Sequence, residues 1–207
     1  MGEVHPGIPL WGIEFAKEIG INQAVETGSA TGNSAYQLSI YFESVESVES
    51  NYLLWREASS RNIDRVKFHH GTSKELLAKI LHNKFKKQLF WLDAHFSGSH
   101  TDGFLDPCPL LEEIEILGRF ELLEESLILI DDARLLCMPH DLAPQMVGWP
   151  KLVEVIQMLE EYRLNTFLCE DVVVAVPQNQ TSNFMTFMLP HVVARQRKIY
   201  EFYSQEK

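Results

Sequence analysis

Two acidic clusters carry the residue types that could do chemistry. "WLDAHFSGSHTDG" contains Asp93 and His95, and "LILIDDAR" contains Asp131 and Asp132. Each cluster closes a short apolar run of the kind that forms a buried strand. If those strands are neighbours in a parallel sheet, roughly 5 Å apart, their ends bring the carboxylates together. Three converging carboxylates repel unless a proton or a hard divalent cation relieves them. On that reading Asp93, Asp131 and Asp132 are candidate metal ligands. His95, whose ring titrates near neutrality, is the nearest candidate base, with Asp93 beside it as a second catalytic candidate. His100 and Asp102 could instead complete a transition-metal site with His95. The plainer alternative is that Asp93 contacts a cofactor or caps a helix while the Asp pair anchors its own loop through backbone hydrogen bonds. Adjacent strand residues point to opposite faces, so Asp131 and Asp132 need not act together.

A second group lies in "AVETGSATGNSAYQL", where Glu26, Gly28, Ser29 and Gly32 sit between an apolar segment and the first turn of a helix. Small residues let a backbone approach a ligand closely, and the free N–H groups of the helix attract carboxylate or phosphate. About 20 residues beyond the glycines, Glu49 ends the next alternating segment, where a carboxylate can accept both hydroxyls of a ribose. A tight turn that needs its glycines for geometry alone, and a solvated charge like Glu43 or Glu46, are the alternatives.

Such residues act together only if the fold places them at one edge. The chain alternates short β-like runs with longer helical ones, which favours a mostly parallel sheet covered by helices on both faces. Strands are expected in "NQAVET", "FESVESVE", "RVKFHH", "QLFWLDAH" and "SLILIDD", each followed by a helical stretch. In "TSKELLAKIL", Leu76, Leu77, Ile80 and Leu81 share one side, and Thr72 with Glu75 makes a capping box. Pro109 and Pro150 open two further helices where a missing N–H costs nothing. "DVVVAVP" and "NFMTFMLP" then follow with a short loop between them, which predicts an antiparallel C-terminal hairpin. The expectation is a doubly wound α/β domain spanning residues 1–207, with a seven-stranded sheet. Ligands bind such sheets at the carboxyl ends of the strands, beside the first strand.

Composition narrows the partners. Lys and Arg number 18 against 29 Asp and Glu, a net charge of −11. That balance opposes attraction to phosphate backbones and anionic membrane surfaces, so neither nucleic acid nor membrane is expected as a partner. Cys108, Cys137 and Cys169 are spaced too widely for a paired metal motif and read as reduced packing residues of a cytoplasmic protein. The N-terminus lacks the pattern of a signal peptide, and no apolar run reaches the ~18 residues of a membrane span.

With these residues in view, the chain resembles the class I S-adenosylmethionine-dependent methyltransferases. "ETGSATG" is similar to their first motif, with Ala30 replacing the middle glycine; "SVES" is similar to the acidic second motif, and "HGTS" to the loop bordering adenine. The resemblance implies a Rossmann-like fold and S-adenosylmethionine held by Glu26, Gly28, Ser29, Gly32, Glu49, Ser73 and Asp93. The acidic strand ends also resemble the metal-dependent sugar O-methyltransferases, which implies Mg2+ at Asp93, Asp131 and Asp132. The expected reaction is methyl transfer to an oxygen of a small-molecule acceptor, sugar-like hydroxyls first, by a chain that could form a homo-oligomer. Two rivals are a metal-dependent hydrolase of a nucleotide or sugar ester, and a non-catalytic nucleotide-binding module.

Overall fold

The computed structural model describes residues 7–82, 87–95, 108–120, 123–138 and 148–205, of which 199–205 are described by backbone alone. His100 and Asp102 lie outside these residues. The elements run α1 (Leu10–Glu18), β1 (Gln23–Thr27), α2 (Asn33–Tyr41), β2 (Ser44–Glu49), α3 (Tyr52–Ser60), β3 (Val66–His70), α4 (Ser73–Leu81) and β4 (Leu89–Leu92). They continue as α5 (Leu110–Arg119), β5 (Leu127–Ile130), α6 (Ala133–Leu136), α7 (Leu152–Glu161), β6 (Leu164–Cys169), β7 (Val172–Pro177) and α8 (Thr181–Gln205).

The strands form one seven-stranded sheet in the order β3-β2-β1-β4-β5-β7-β6. β1 to β5 are parallel to their neighbours, whereas β7 runs antiparallel to both β5 and β6. The order reverses between β1 and β4, so their carboxyl ends border the crevice where this class of sheet binds ligands.

Period-two side-chain alternation divides the core. Phe90, Leu92, Ile128, Ile130 and Val173 face one side, where Leu77, Ile80, Ile114, Leu117, Val155 and Leu159 of α4, α5 and α7 cover them. Leu89, Trp91, Leu127, Leu129 and Val174 face the other, under Ile13 and Phe15 of α1, Leu38 of α2 and Phe184 of α8. Central strands buried on both faces explain why "LFWL" and "LILI" are continuous apolar runs.

The doubly wound fold with its antiparallel hairpin is as expected from the sequence, but three local expectations are corrected. The hairpin partner of 172–177 is Leu164–Cys169, and "NFMTFMLP" belongs to helix α8. Phe184, Phe187 and Met188 lie at helical spacing; Phe184 is buried between Phe15 and Phe167, a contact that a half-exposed strand could not make. Thr72 occupies the N-cap position of α4 without a side-chain cap bond, so the capping box is not formed. Of the three cysteines, Cys108 is buried and Cys169 partly so, but Cys137 is exposed. Among the described residues, no helix is long and apolar enough to cross a membrane.

Candidate active site

Parallel pairing sets the site's geometry. Thr27, Leu92 and Ile130 are register partners at the ends of β1, β4 and β5, so the residues after them emerge abreast. The backbone continues the ladder by one step, Asp93 N–H to the Thr27 carbonyl (3.0 Å) and Asp131 N–H to the Leu92 carbonyl (3.2 Å). Asp132 then turns left-handed (φ 54°), starting the short α6, and its carboxylate reaches His95, just beyond the end of β4.

That turn joins Asp132 to His95. His95 Nε2 lies 2.7 Å from Asp132 Oδ2 and 3.3 Å from Asp93 Oδ1. Asp132, the closer partner, is held ionised, so Nε2 carries a proton and donates to it. The other oxygen of Asp132 lies 2.5 Å from Arg134 Nη1. Arg134 also pairs with Asp171, and its backbone N–H donates to Asp171 Oδ1 at 2.8 Å. Asp171, in the β6–β7 turn, thereby braces the start of α6. Its sequence context, an ordinary acidic turn, carries no signal of that task.

Charge follows geometry. Burial lifts the Asp93 carboxyl well above its ordinary value; His95 counters this, while Asp131 and Asp132 add to it. Burial also lifts Asp131, partly offset by the N–H of Asp132. For Asp132, burial acts upward but the hydrogen bond and charge of His95, with those of Arg134, prevail and the value falls. Burial alone would lower His95; its bond to Asp132 and the surrounding carboxylates raise it. The result is an imidazole oriented and made more basic by a carboxylate, an arrangement suited to general-base work.

The three aspartates do come to one edge, but they are engaged with protein groups. Asp132 holds His95 and Arg134, and Asp131 Oδ1 accepts from the Asp132 N–H at 2.8 Å. Among the described residues, no group of three or more His, Cys, Asp or Glu is arranged to hold a metal ion.

The glycine loop lies against this cluster. Gly28 has φ 82°, and a Cβ there would fall 2.3 Å from the Asp93 carbonyl oxygen, so only glycine fits. Gly32, also at φ 82°, precedes α2, whose first turn has no side-chain cap. The N–H groups of Gly28 and Ser29 are taken by the Val48 carbonyl. Glu49 accepts from Ala30 N–H and Asn51 N–H, both at 2.8 Å, tying the loop to the end of β2. Glu26 is fully buried, 2.5 Å from the Ser47 hydroxyl, and burial raises it to about 7. Glu26 Oε1 and the Ser29 hydroxyl have no partner among the described residues.

Sequence reading missed Glu113 and Trp149. Glu113 opens α5 yet is 1 % exposed, and burial raises it to about 7 against the hydroxyls of Ser73 and Thr27. Ser73 therefore faces inward, toward Glu113. The Trp149 ring packs on His95 with centroids 4.8 Å apart. Glu113, Trp149, His95, Asp131 and Cys108 line a cavity of about 10 Å3, together with Leu92, Leu110, Ile130 and Leu136.

No protein-family model matches the sequence, and no curated protein matches it. Solved structures do resemble the fold. An O-methyltransferase from Bacillus cereus in complex with SAH superposes with a TM-score of 0.57 at 16 % identity, over 84 % of this chain and 83 % of that one. The O-methyltransferase TomG from Streptomyces achromogenes, involved in tomaymycin synthesis and in complex with SAM, gives 0.54 at 12 %, over 80 % and 77 %. Cofactor-bound Rv0187 from MTB gives 0.55 at 13 %, over 86 % and 84 %. At these identities the likeness is one of fold, the Rossmann-like methyltransferase fold.

Proposed function

We propose that this chain transfers a methyl group from S-adenosylmethionine to a hydroxyl oxygen of a small molecule, sugar-like hydroxyls first among the acceptors. One observation carries the reading: the glycine loop after β1 touches the very segment, Asp93 to His95, that presents the Asp132-oriented imidazole. A cofactor held on the loop is thus set beside a base. The fold neighbours that hold SAM or SAH support it.

The residues fit the cofactor. Glu26 and Ser29 keep unpartnered polar atoms beside the loop, α2 has an uncapped N-terminus, and the Glu49 carboxylate stands at the end of β2 where a ribose would lie. When bound, the sulfonium supplies an electrophilic methyl group and a neutral leaving group. His95 takes the hydroxyl proton, and Asp132 holds the ring and favours its charged form. Positioned bases contribute roughly 10²- to 10⁴-fold in rate. Asp93, Asp131 and Asp132 do not fit a magnesium ion as they stand, because His95 and Arg134 hold both oxygens of Asp132 and a backbone N–H takes one oxygen of Asp131. No step is routed through a metal.

Thermal shift with S-adenosylhomocysteine, NAD and ATP, each with and without magnesium, tests the reading. S-adenosylhomocysteine alone should stabilise, by about 2.7 kcal/mol at one hundred times its Kd. Magnesium should add nothing. No shift with S-adenosylhomocysteine overturns the proposal. A magnesium-dependent rise that vanishes in the Asp131→Asn, Asp132→Asn double variant would assign the trio to a metal.

A further inference from the structure

Two residues that line the cavity beside His95 each carry a buried polar atom that the site described above does not use. Glu113 Oε1 and Trp149 Nε1 have no hydrogen-bond partner among the described residues, and the two side chains are 1 % and 5 % exposed. Both residues line the same cavity, with His95 and Asp131 on its wall. An orphaned buried polar atom is costly, so two on residues of one cavity point to a missing partner.

The chemistry of that partner is restricted. At about 10 Å3 the space admits one oxygen-sized group. Trp149 Nε1–H can only donate, whereas Glu113 accepts when ionised and both donates and accepts when protonated. A hydroxyl, which accepts and donates at once, satisfies both. A carboxylate or phosphate is too large and would meet the charge of Asp131. An ammonium could donate to Glu113 but would leave the indole N–H unmet.

We propose that this cavity is the seat of an uncharged hydroxyl of the methyl acceptor, held between Trp149 Nε1–H and Glu113. The inference rests on the methyl-transfer reading and gives the acceptor an uncharged hydroxyl at this position. A resident water has the same chemistry and is the competing source.

Three probes that share a ring and differ only in the head group separate these cases: benzyl alcohol, benzoate and benzylammonium. Each is titrated into the 15N-labelled full chain saturated with S-adenosylhomocysteine. The Trp149 indole N–H resonance, assigned by its loss in Trp149→Phe, is followed together with nuclear Overhauser contacts to the probe. Benzyl alcohol should shift that resonance and show a direct contact, and the two charged probes should not at equal concentration. Glu113→Leu should weaken benzyl alcohol roughly threefold to tenfold, and Glu113→Gln, which keeps a hydrogen-bonding head, should restore it. If Glu113→Leu does not fold, the same weakening is read in Trp149→Phe by calorimetry. No response to benzyl alcohol, a contact to water alone, or an equal response to all three probes overturns the proposal. Affinity for S-adenosylhomocysteine is measured separately, so a failure of the methyl-transfer reading is visible whatever the probes do.

Discussion

At the scale of single residues, the acidic strand ends were legible because a carboxylate directly after an apolar run has few structural reasons to be there. Asp93, His95, Asp131 and Asp132 do meet at one edge. Their division of labour was not legible, because it depends on the left-handed turn of Asp132 and on Arg134, which Asp171 from another turn holds in place. Replacing Asp132 with Asn removes the charge that raises His95. The base then works at lower pH but is held less well. The rising limb of the pH–rate profile should shift to lower pH and the maximal rate should fall; an unmoved limb would exclude His95 as the titrating base. Glu49 makes a second case. Its carboxylate already accepts from Ala30, a non-glycine residue at φ 43°, and from Asn51. Glu49→Ala should weaken S-adenosylhomocysteine binding by about 1.5–3 kcal/mol, the range for hydrogen bonds to a charged group. Calorimetry checks this, and unchanged affinity in a folded variant removes the ribose assignment.

Among the elements, β4 and β5 are plain from unbroken apolar runs, whereas the strand that completes the C-terminal hairpin is concealed in the sequence. "LNTFLC" forms the sheet's edge, where Asn165, Thr166 and Leu168 retain exposure and blur the pattern. "NFMTFMLP" has aromatics three apart, which suits a helix, but its apolar density suits either period. A mutation pair distinguishes the two assignments. Phe184 is 1 % exposed and Met185 is 59 % exposed. Phe184→Ala should cost about 3–5 kcal/mol, as for a buried aromatic, and Met185→Ala no more than about 0.5 kcal/mol. Urea unfolding of the two variants measures both, and comparable losses would contradict the docking of α8 through Phe184.

For the whole molecule, the buried acids set how stability depends on pH. Glu26 and Glu113 have folded values of about 7 against an ordinary 4.5. The unfolded chain releases these protons near 4.5 while the folded chain keeps them to about 7, so stability falls as pH rises through that window and levels off above it. Each group accounts for roughly 3 kcal/mol. His95, raised from 6.5, acts in the same sense, since its contribution is present below 6.5 and lost as pH rises through its folded value. Asp132, lowered from 3.8, acts oppositely and only in acid, where its contribution is lost as pH falls through its folded value. The urea midpoint should therefore drop between about pH 5 and 7.5, and Glu113→Gln, which has no proton to lose, should flatten the drop. A midpoint that climbs over the same range would show that these acids are not held protonated.

The sequence by itself determined the alternation of strands and helices, the glycine turn after β1 and the acidic ends of β4 and β5. Each is written in residues adjacent along the chain, as a period, a turn chemistry or a boundary between apolar and charged. Tertiary structure alone decided that Leu164–Cys169 pairs with β7, and that Arg134 and Asp171 steady Asp132. It also decided that Glu113 and Trp149 line one cavity with His95. In sequence Glu113 is an acid in the first turn of a helix, where the helix dipole favours one anyway. Only the packing of α5 against the sheet turns that side chain inward, away from water, and a contact between residues so far apart has no local signature.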